Sequence, residues 1–309
     1  MRVVVLGANG WHTDDLSRAF RQRAHTATVL PYEKLVARFG CPTGVGGMRD
    51  GATLSAAGTS VLDADAVLAR FIPSGSLEQI IYRVDALHWI EERGGTVVNS
   101  PRAIERTVDK FYTTALLHEA GLPVPETVVC EHAEDAINAR SQIGDVVIKP
   151  IFGSMGRGMM RVSDTDLAFR ATRTLEELHA VFYVQRAVDH GGRDVRAFVI
   201  GGRVVGAIER EAPAGDWRTN VTRGGTARPF ELPPAWEQLA LRAAAVVKAD
   251  YAGVDLLPST DGSVFVLEVN GIPGWRALRL ATGIDVADAI VEHVERLVGS
   301  GRAVPEVAS

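Results

Sequence analysis

Two segments near the C-terminus, Gly253-Val254-Asp255-Leu256-Leu257 and Leu267-Glu268-Val269-Asn270, carry the strongest chemical signal in the chain. Both have the apolar residues of a β-strand. Side chains two residues apart in a strand point to the same face, so the glutamate and the asparagine of the second segment point together. The turn-forming sequence Thr260-Asp261-Gly262 lies between the segments. It predicts a hairpin that could bring the aspartate of the first segment opposite that face.

Asp255, Glu268 and Asn270 are therefore candidate metal ligands. Two carboxylates and an amide oxygen form a hard-oxygen site of the kind that suits Mg²⁺, which takes its remaining ligands from phosphate and water. The alternative is that both acids lie on the solvent side of a half-exposed sheet. Because their strands are very apolar, an unpaired charge there would be costly, and this favours the metal site.

A glycine-rich stretch runs from Lys149 to Gly158 in the sequence KPIFGSMGRG. It reads as the end of a strand, a loop and a second strand, in which glycines allow backbone N–H groups to turn toward an anion. No Gly-Lys-Ser/Thr follows, so it is not a Walker A motif. A plain flexible hairpin is the alternative, but a lysine at the end of a buried strand usually has an anion as partner. Lys110, near the start of the helix that follows Pro101, would by itself be an ordinary surface lysine.

The segment from Arg186 to Arg228 contains eight arginines, no lysines and five carboxylates, a local charge of +3 in a chain of net charge −5. Arginine suits bidentate contact with phosphate and carboxylate oxygens. A nucleotide triphosphate and an acidic substrate would need such a cluster. A surface charge network is the alternative interpretation.

The first hundred residues alternate between strands and helices, which indicates a small parallel α/β unit. A helix is expected to start at Pro101, and a second helix is expected from about Val108 to Ala120. From Glu126 onward the pattern is rich in strands with two helices between them, near 164–180 and 236–249, and predicts an α+β architecture. The stretch from Gly40 to Gly58 is interpreted as a loop or a short hairpin.

The bulk composition excludes several classes of protein. A chain of 309 residues is long enough for two or three packed subdomains. The negative net charge argues against a nucleic-acid-coating or membrane-surface protein, and no apolar run suggests a membrane helix or a signal peptide. Cys41 and Cys130 form neither a disulfide scaffold nor a metal-ligand spacing, so we expect a cytoplasmic protein.

Taken together, these segments resemble the ATP-grasp superfamily, in particular the RimK-like amino-acid ligases. The resemblance covers about residues 96–275. It rests on segments in a characteristic order: Asn99-Ser100-Pro101 with Asp109-Lys110, Ile148–Gly158, Asp194–Val199, Gly215–Asn220 with Arg223-Gly224-Gly225, and the two segments of the candidate metal site. It implies an α+β ATP-grasp fold of two subdomains, 99–188 and 189–300, preceded by a small α/β parallel-sheet domain at 1–98 and followed by a tail at 301–309.

The resemblance also implies roles for individual residues. Lys110 and Lys149 would contact the ATP phosphates or the adenine neighbourhood, and Asp194 would lie at the ribose. Other nucleotide contacts would come from the glycine loop, the hinge and the arginine-rich loop, namely Gly153, Ser154, Gly156, Gln185, Arg186, Ala187, Val188, Arg218, Thr219 and Asn220. Arg210 and Arg218 would be the catalytic arginines. Asp255, Glu268 and Asn270 would bind Mg²⁺ or Mn²⁺, two ions in all. Many relatives carry glutamate at the hinge where this chain has Arg186.

The implied activity is ATP-dependent joining of an amino acid, L-glutamate, to an acceptor carboxylate through an acyl phosphate. The glycine loop is similar to that of members that glutamylate cofactors, including the tetrahydromethanopterin ligases. Another amino acid, or a protein C-terminus as acceptor, is an alternative. A nucleotide-binding module without catalysis is another alternative function. A homodimer or homotetramer would be usual for the family. An NAD(P)-dependent oxidoreductase, suggested by Gly7-Ala8-Asn9-Gly10, has only an incomplete fingerprint.

Overall fold

The computed structural model describes residues 1–40, 51–153, 156–219 and 224–300. In these residues the strands are β1 Arg2–Leu6, β2 Thr26–Leu30, β3 Leu35–Arg38, β4 Thr53–Ala56, β5 Thr59–Ser60, β6 Ala66–Ala69, β7 Val97–Val98, β8 Thr127–Cys130, β9 Val146–Lys149, β10 Met160–Val162, β11 Phe182–Arg186, β12 Arg193–Ile200, β13 Arg203–Glu211, β14 Thr226–Pro229, β15 Tyr251–Pro258 and β16 Val264–Asn270. The helices are α1 Trp11–Gln22, α2 Leu77–Glu92, α3 Pro101–Val108, α4 Lys110–Glu119, α5 Ala133–Ile143, α6 Thr165–Glu177, α7 Pro234–Val246, α8 Arg276–Thr282 and α9 Val286–Gly299, with a 3₁₀ turn at Tyr32–Lys34.

The chain divides into two compact units. Unit 1 comprises Met1–Ile104, Gly274–Arg276 and Asp285–Ser309, and unit 2 comprises Glu105–Pro273 and Ala277–Ile284. The division predicted from sequence, with subdomains at 99–188 and 189–300, concerns the interior of unit 2 and stays a prediction. It did not anticipate that α9 lies in unit 1.

Unit 1 contains the predicted parallel sheet, with strand order β2-β1-β6-β7. Four consecutive residues of β1, from Val3 to Leu6, are buried, as expected for a parallel strand covered on both faces. Helix α9 packs against α1. Arg23 of α1's C-terminal end contacts Asp288 and Glu295 of α9, at 2.6 and 2.9 Å. The local sequence pattern did not predict this long-range contact.

A small antiparallel sheet, β3-β4-β5, also belongs to unit 1. The stretch interpreted as a loop or a short hairpin, 40–58, contains β4 and the turn at Ala57 and Gly58, both with positive φ, and the strand paired with β4 through this turn, β5, lies just after it. Residues 41–50 of that prediction lie outside the described residues.

Unit 2 consists of two antiparallel sheets with helices against them, in agreement with the α+β prediction. The first sheet has the order β10-β9-β11-β8, and its core residues pack with those of α5 and α6. The second has the order β14-β13-β12-β15-β16, and α7 packs against it through Ala240, Ala243 and Ala244. The sequence analysis missed α5.

The helix predicted to start at Pro101 and the second helix predicted from about Val108 to Ala120 are both present, as α3 and α4. The Asp109 backbone is extended, and its side chain accepts a hydrogen bond from the Tyr112 N–H at 3.0 Å, so it caps the start of α4. Lys110 is therefore the first residue of α4. Among the described residues no helix is long and apolar enough to cross a membrane.

Candidate active site

The three candidate metal ligands lie on one face of the five-stranded sheet. Asp255 pairs directly with Glu268, and Gly253 pairs with Asn270, in the antiparallel register of β15 and β16. Directly opposed residues share a face, so both carboxylates and the amide point to the same side. The Asn270 Nδ2 donates to the Gly253 carbonyl oxygen at 3.3 Å, which leaves Oδ1 as the oxygen available to a cation.

Asp255 is held by two arginines from neighbouring strands. Its side chain accepts two hydrogen bonds from Arg196, both at 2.6 Å, and its Oδ2 lies 3.0 Å from Arg210 Nη2. Only 3% of Asp255 is exposed. Burial opposes ionisation, but the two guanidinium groups outweigh it and lower the pKa of Asp255. The carboxylate is therefore ionised, as a metal ligand must be.

Arg210 is itself fixed by a second buried carboxylate. It forms a bidentate pair with Asp194 at 2.7 and 2.6 Å, and the Thr219 hydroxyl donates to the same carboxylate at 2.6 Å. Arg196, Asp255, Arg210, Asp194 and Thr219 thus form a continuous chain of contacts, which we call the arginine–carboxylate array. Because the Asp194 carboxylate accepts hydrogen bonds from Arg210 and Thr219, its role in this structure is to hold Arg210 in place. The ribose contact implied for Asp194 stays a prediction.

Lys149 lies in a buried polar network at the end of β9. Its Nζ donates to Gln185 Oε1 at 2.6 Å, and the Gln185 amide donates to Thr127 Oγ1 at 2.9 Å and to the Tyr183 hydroxyl at 3.0 Å. Burial lowers the pKa of Lys149 to about 8, against the opposing pull of Glu268. Lys149 is thus a buried cation within electrostatic reach of the candidate metal ligand.

Lys110 ties the start of α4 to the glycine-rich loop. Its Nζ donates to the Gly153 carbonyl at 2.7 Å and to the Ile151 carbonyl at 3.3 Å. Burial lowers the pKa of Lys110, and the nearby Glu268 and Asp109 oppose that shift. Both lysines that the resemblance singled out are therefore close enough to Glu268 to feel its charge.

The glycine-rich loop needs its glycines for conformational reasons. Gly156 and Gly158 have φ values of 67° and 72°, which side chains rarely adopt. Gly153 lies close to Pro150, where a Cβ would approach the proline ring at 3.1 Å. Ser154 lies outside the described residues, as does Asn220 of the arginine-rich loop.

The predicted hinge follows β11, and two of its backbone N–H groups are occupied. Arg186 N donates to the Glu126 carbonyl at 2.8 Å, and Ala187 N donates to the Asp145 carbonyl at 2.9 Å. The exposed Arg186 side chain forms an ion pair with Glu126. The contacts of Gln185, Ala187 and Val188 with a nucleotide base stay a prediction.

Arg218 lies on the segment between β13 and β14 and pairs with Asp216. Its Nε lies 2.9 Å from Asp216 Oδ1, and this contact lowers the pKa of Asp216 to about 2. Arg218 is not part of the arginine–carboxylate array. Thus the structure brings Arg210, but not Arg218, to Asp255.

Sequence reasoning assigned no role to Arg196, Tyr183 or Thr127. The signal for Arg196 was available: it lies two residues from Asp194 in one strand, so both side chains share a face. The sequence did not show which strand lies beside β12. The pairing of β12 with β15 places Arg196 opposite Asp255.

The donor set fits Mg²⁺. The described residues contain no group of three or more His, Cys, Asp and Glu side chains that could hold a metal. Two carboxylates and one amide oxygen match an ion that binds through one or two carboxylates and takes the rest from phosphates and water.

Side chains of unit 1 pack around the glycine turn after β1. A Cβ on Gly7 would lie 2.9 Å from the Cβ of Arg70, so the Arg70 side chain occupies the space beside this glycine. His12 packs edge-on against both Trp11 and Trp275, with ring centroids 5.0 and 4.7 Å apart.

Comparison with known proteins identifies the family of this chain. Residues 107–294 match the RimK-like ATP-grasp domain. The tetrahydromethanopterin:alpha-L-glutamate ligase of Methanosarcina acetivorans is 38% identical over 275 residues, which cover 80% of this chain and 85% of that protein. A probable alpha-L-glutamate ligase of Trichodesmium erythraeum is 32% identical over 97% of this chain and 98% of its own length.

Solved structures share the fold. The ATP-grasp ligase PsnB, complexed with a minimal precursor, covers 95% of this chain and 98% of its own, with a TM-score of 0.75 and 23% identity. Another PsnB structure contains the precursor, Mg and ADP. A RimK domain ATP-grasp protein from Sphaerobacter thermophilus has a TM-score of 0.69, with 96% and 100% coverage and 23% identity. The chain belongs to the RimK-like ATP-grasp family and is an ATP-grasp ligase that joins a carboxylate to an amine.

Proposed function

We propose that this ligase adds L-glutamate to the carboxylate of a pterin-type acceptor, with ATP converted to ADP and phosphate. The observation that carries this proposal is the 38% identity to a tetrahydromethanopterin:alpha-L-glutamate ligase over 80% of the chain. The candidate site is consistent with it, because it combines an oxygen-rich cation site with buried arginines and lysines suited to phosphate.

The reaction requires activation of the acceptor, since a carboxylate is a poor electrophile for an amine. The acceptor oxygen attacks the γ-phosphorus of ATP, the bond to the β-phosphate oxygen breaks, and ADP leaves. The glutamate amine then attacks the acyl phosphate carbon, inorganic phosphate departs, and the amine loses a proton. Catalysis of phosphoryl transfer depends mainly on positioning and on neutralisation of charge.

The residues of this chain divide these tasks. Arg210 presents a guanidinium that Asp194 holds rigidly, so no reorganisation is needed as charge moves between oxygens. Lys149 and Lys110 supply positive charge for the nucleotide phosphates. When bound at Asp255, Glu268 and Asn270, Mg²⁺ or Mn²⁺, as two ions, would neutralise charge on the transferring phosphoryl group.

Other acceptors give weaker alternatives. Structures of PsnB contain precursor peptides, but their identity to this chain is 22–23% and supports the fold alone. The assay below distinguishes three alternatives to this proposal. They are another amino acid in place of glutamate, a protein C-terminus as acceptor, and nucleotide binding without turnover. We further propose a cytoplasmic homodimer or homotetramer, which light scattering of the purified protein would test.

The test measures ADP release by the full chain with MgATP and combinations of L-glutamate and tetrahydromethanopterin. We expect ADP release that requires both substrates and a product one glutamyl residue heavier by mass spectrometry. Turnover only with a peptide ending in a free carboxylate would support the protein-tail alternative. ATP binding without turnover in any combination, including a metabolite extract, would refute ligase activity on these substrates.

A further inference from the structure

We infer that Arg196 makes metal binding depend on the nucleotide, because it occupies Asp255 until a polyphosphate arrives. The inference rests on the proposed function, which supplies the divalent cation and the nucleotide. It assigns a positioning role to a residue outside the predicted site.

The first observation is the way in which Asp255 is occupied. Arg196 Nε and Nη2 each lie 2.6 Å from one oxygen of this carboxylate, a bidentate pair. Arg210 approaches Oδ2 from the other side at 3.0 Å. Three contacts from cationic donors therefore take up most of the roughly four lone-pair sites of this carboxylate, and Arg196 competes with a metal ion for both oxygens.

The second observation is the contrast with Glu268. Glu268 lies directly opposite Asp255 and is half-buried. The Glu268 side chain makes neither a hydrogen bond nor an ion pair with any residue in the described parts of the chain. One of the two carboxylates is thus open to a cation, while Arg196 competes with a cation for the other.

The third observation is the charge of the site. Four cations, Arg196, Arg210, Lys110 and Lys149, face four carboxylates, Asp109, Asp194, Asp255 and Glu268, so the charges balance. A bare divalent cation would leave the site with excess positive charge, and a polyphosphate offsets it. The polyphosphate also offers Arg196 new oxygens, so release of Asp255 no longer leaves a guanidinium unpaired.

Arg196 is better placed than Arg210 to move. The Arg210 side chain is 5% exposed and is bound to Asp194 as well as Asp255. The Arg196 side chain is 18% exposed, and its carboxylate partner is Asp255. Arg196 can therefore leave Asp255 without breaking the buried pair behind it.

The experiment measures Mn²⁺ binding to the full chain by electron paramagnetic resonance, with and without ADP. The wild-type protein is expected to bind Mn²⁺ weakly alone and strongly with ADP. Arg196→Gln removes the guanidinium and is expected to bind Mn²⁺ without nucleotide about tenfold or more tightly than wild type, as removal of a charge-assisted competitor implies. Arg228→Gln is the matched control: this arginine of β14 pairs with Glu209, outside the array, and its loss should leave Mn²⁺ binding unchanged.

The outcomes separate this inference from the proposed function. Tight Mn²⁺ binding to nucleotide-free wild type would overturn the inference. This measurement needs no variant, so the inference can be tested even if Arg196→Gln fails to fold. A folded Arg196→Gln that still needs ADP would also overturn it. No Mn²⁺ binding by wild type even with ADP would instead remove the metal site and with it the proposed function.

Discussion

At the scale of single residues, the site is built from buried charges that satisfy one another. Asp194, Arg210 and Asp255 are each less than 5% exposed. Removal of one member of a buried ion pair leaves an uncompensated charge, which typically costs about 3–5 kcal/mol. Substitutions inside the array therefore mix stability with function, and residues at its margin are more informative.

Glu268 is such a residue. Glu268→Gln keeps the shape of the side chain and removes the charge that would face the cation. We expect kcat to fall by about 100-fold or more, as loss of several kcal/mol of charge stabilisation implies. The thermal midpoint should stay close to that of wild type, because no ion pair among the described residues is broken.

The measurement is steady-state ADP release together with thermal unfolding. Asp261→Asn, in the exposed turn between β15 and β16, is the control for removal of a nearby carboxylate and should retain activity. Full activity of Glu268→Gln would exclude this residue from the metal site.

Lys149 predicts a pH dependence for nucleotide binding. Its pKa of about 8 is below the usual value for lysine because the side chain is buried. The protonated form binds the anion, so ATP affinity should be constant below pH 8 and weaken as the pH rises above it. In Lys149→Met, affinity should be about 10–100-fold lower near pH 7 and no longer depend on this titration.

Calorimetric titration of an ATP analogue between about pH 6.5 and 9.5, a range that brackets this pKa, provides the measurement. Lys34→Met, which removes an exposed lysine of unit 1, is the control and should retain the wild-type pH profile. A wild-type affinity that does not change above pH 8 would show that Lys149 is not a phosphate contact.

At the scale of elements, local capping positions a functional side chain. The break between α3 and α4 at Asp109 makes Lys110 the first residue of α4, from which its Nζ reaches the Gly153 carbonyl. Polar N-caps stabilise a helix end because they accept otherwise unpaired N–H groups. The cap therefore links helix stability to the conformation of the glycine-rich loop.

Asp109→Ala tests that link. It should destabilise the protein by about 1 kcal/mol, the usual value of an N-cap, and raise the KM for ATP. Asp109→Asn retains a capping oxygen and should restore both properties. Urea unfolding and ATP titration of ADP release are the measurements.

Asp164→Ala is the matched variant. Asp164 caps α6 by accepting from Leu167 N at 2.8 Å, and its loss should cost similar stability. The KM for ATP should not change in that variant. An equal rise in KM for both variants would mean that general destabilisation, and not the position of Lys110, is responsible.

At the scale of the whole molecule, unit 1 depends on the last helix of the chain. Helix α9 buries Val286, Ile290, Val291 and Val294. Each large aliphatic side chain contributes about 1.5–3 kcal/mol when fully buried. Four of them together approach the entire stability of a typical domain, about 5–15 kcal/mol.

A chain ended after Ile284 should therefore lose a folded unit 1. Arg23 would also lose both of its carboxylate partners on α9. Limited proteolysis with mass mapping should show cleavage throughout the first hundred residues, with a reduced thermal midpoint. A chain ended after Ser300 keeps α9 and is the control. Unchanged protease resistance in the shorter chain would contradict the assignment of α9 to the core of unit 1.

Much of the local structure was predictable because short-range patterns decide it. The continuous apolar runs Arg2–Leu6 and Ala66–Ala69, which lie between turn residues, predict buried strands, and they form β1 and β6 with these bounds. The same holds for β8 and β9. The second helix of unit 2 was predicted from about Val108 and begins at Lys110, because the capping role of Asp109 depends on its extended backbone, which the apolar pattern does not show. Helix α5 was missed because its buried side chains are alanines, which give a weak apolar signal.

The sequence alone determined the family, the parallel sheet of unit 1, the α+β character of unit 2 and the shared face of Glu268 and Asn270, because these follow from motifs and from short-range periodicity. Tertiary structure decided that Arg196 and Arg210 close on Asp255, that Gln185 binds Lys149, and that α9 completes unit 1. These contacts join residues far apart in the chain, and strand order and register decide which charges meet. A linear pattern records which side of a strand a charge occupies but not which strand lies beside it.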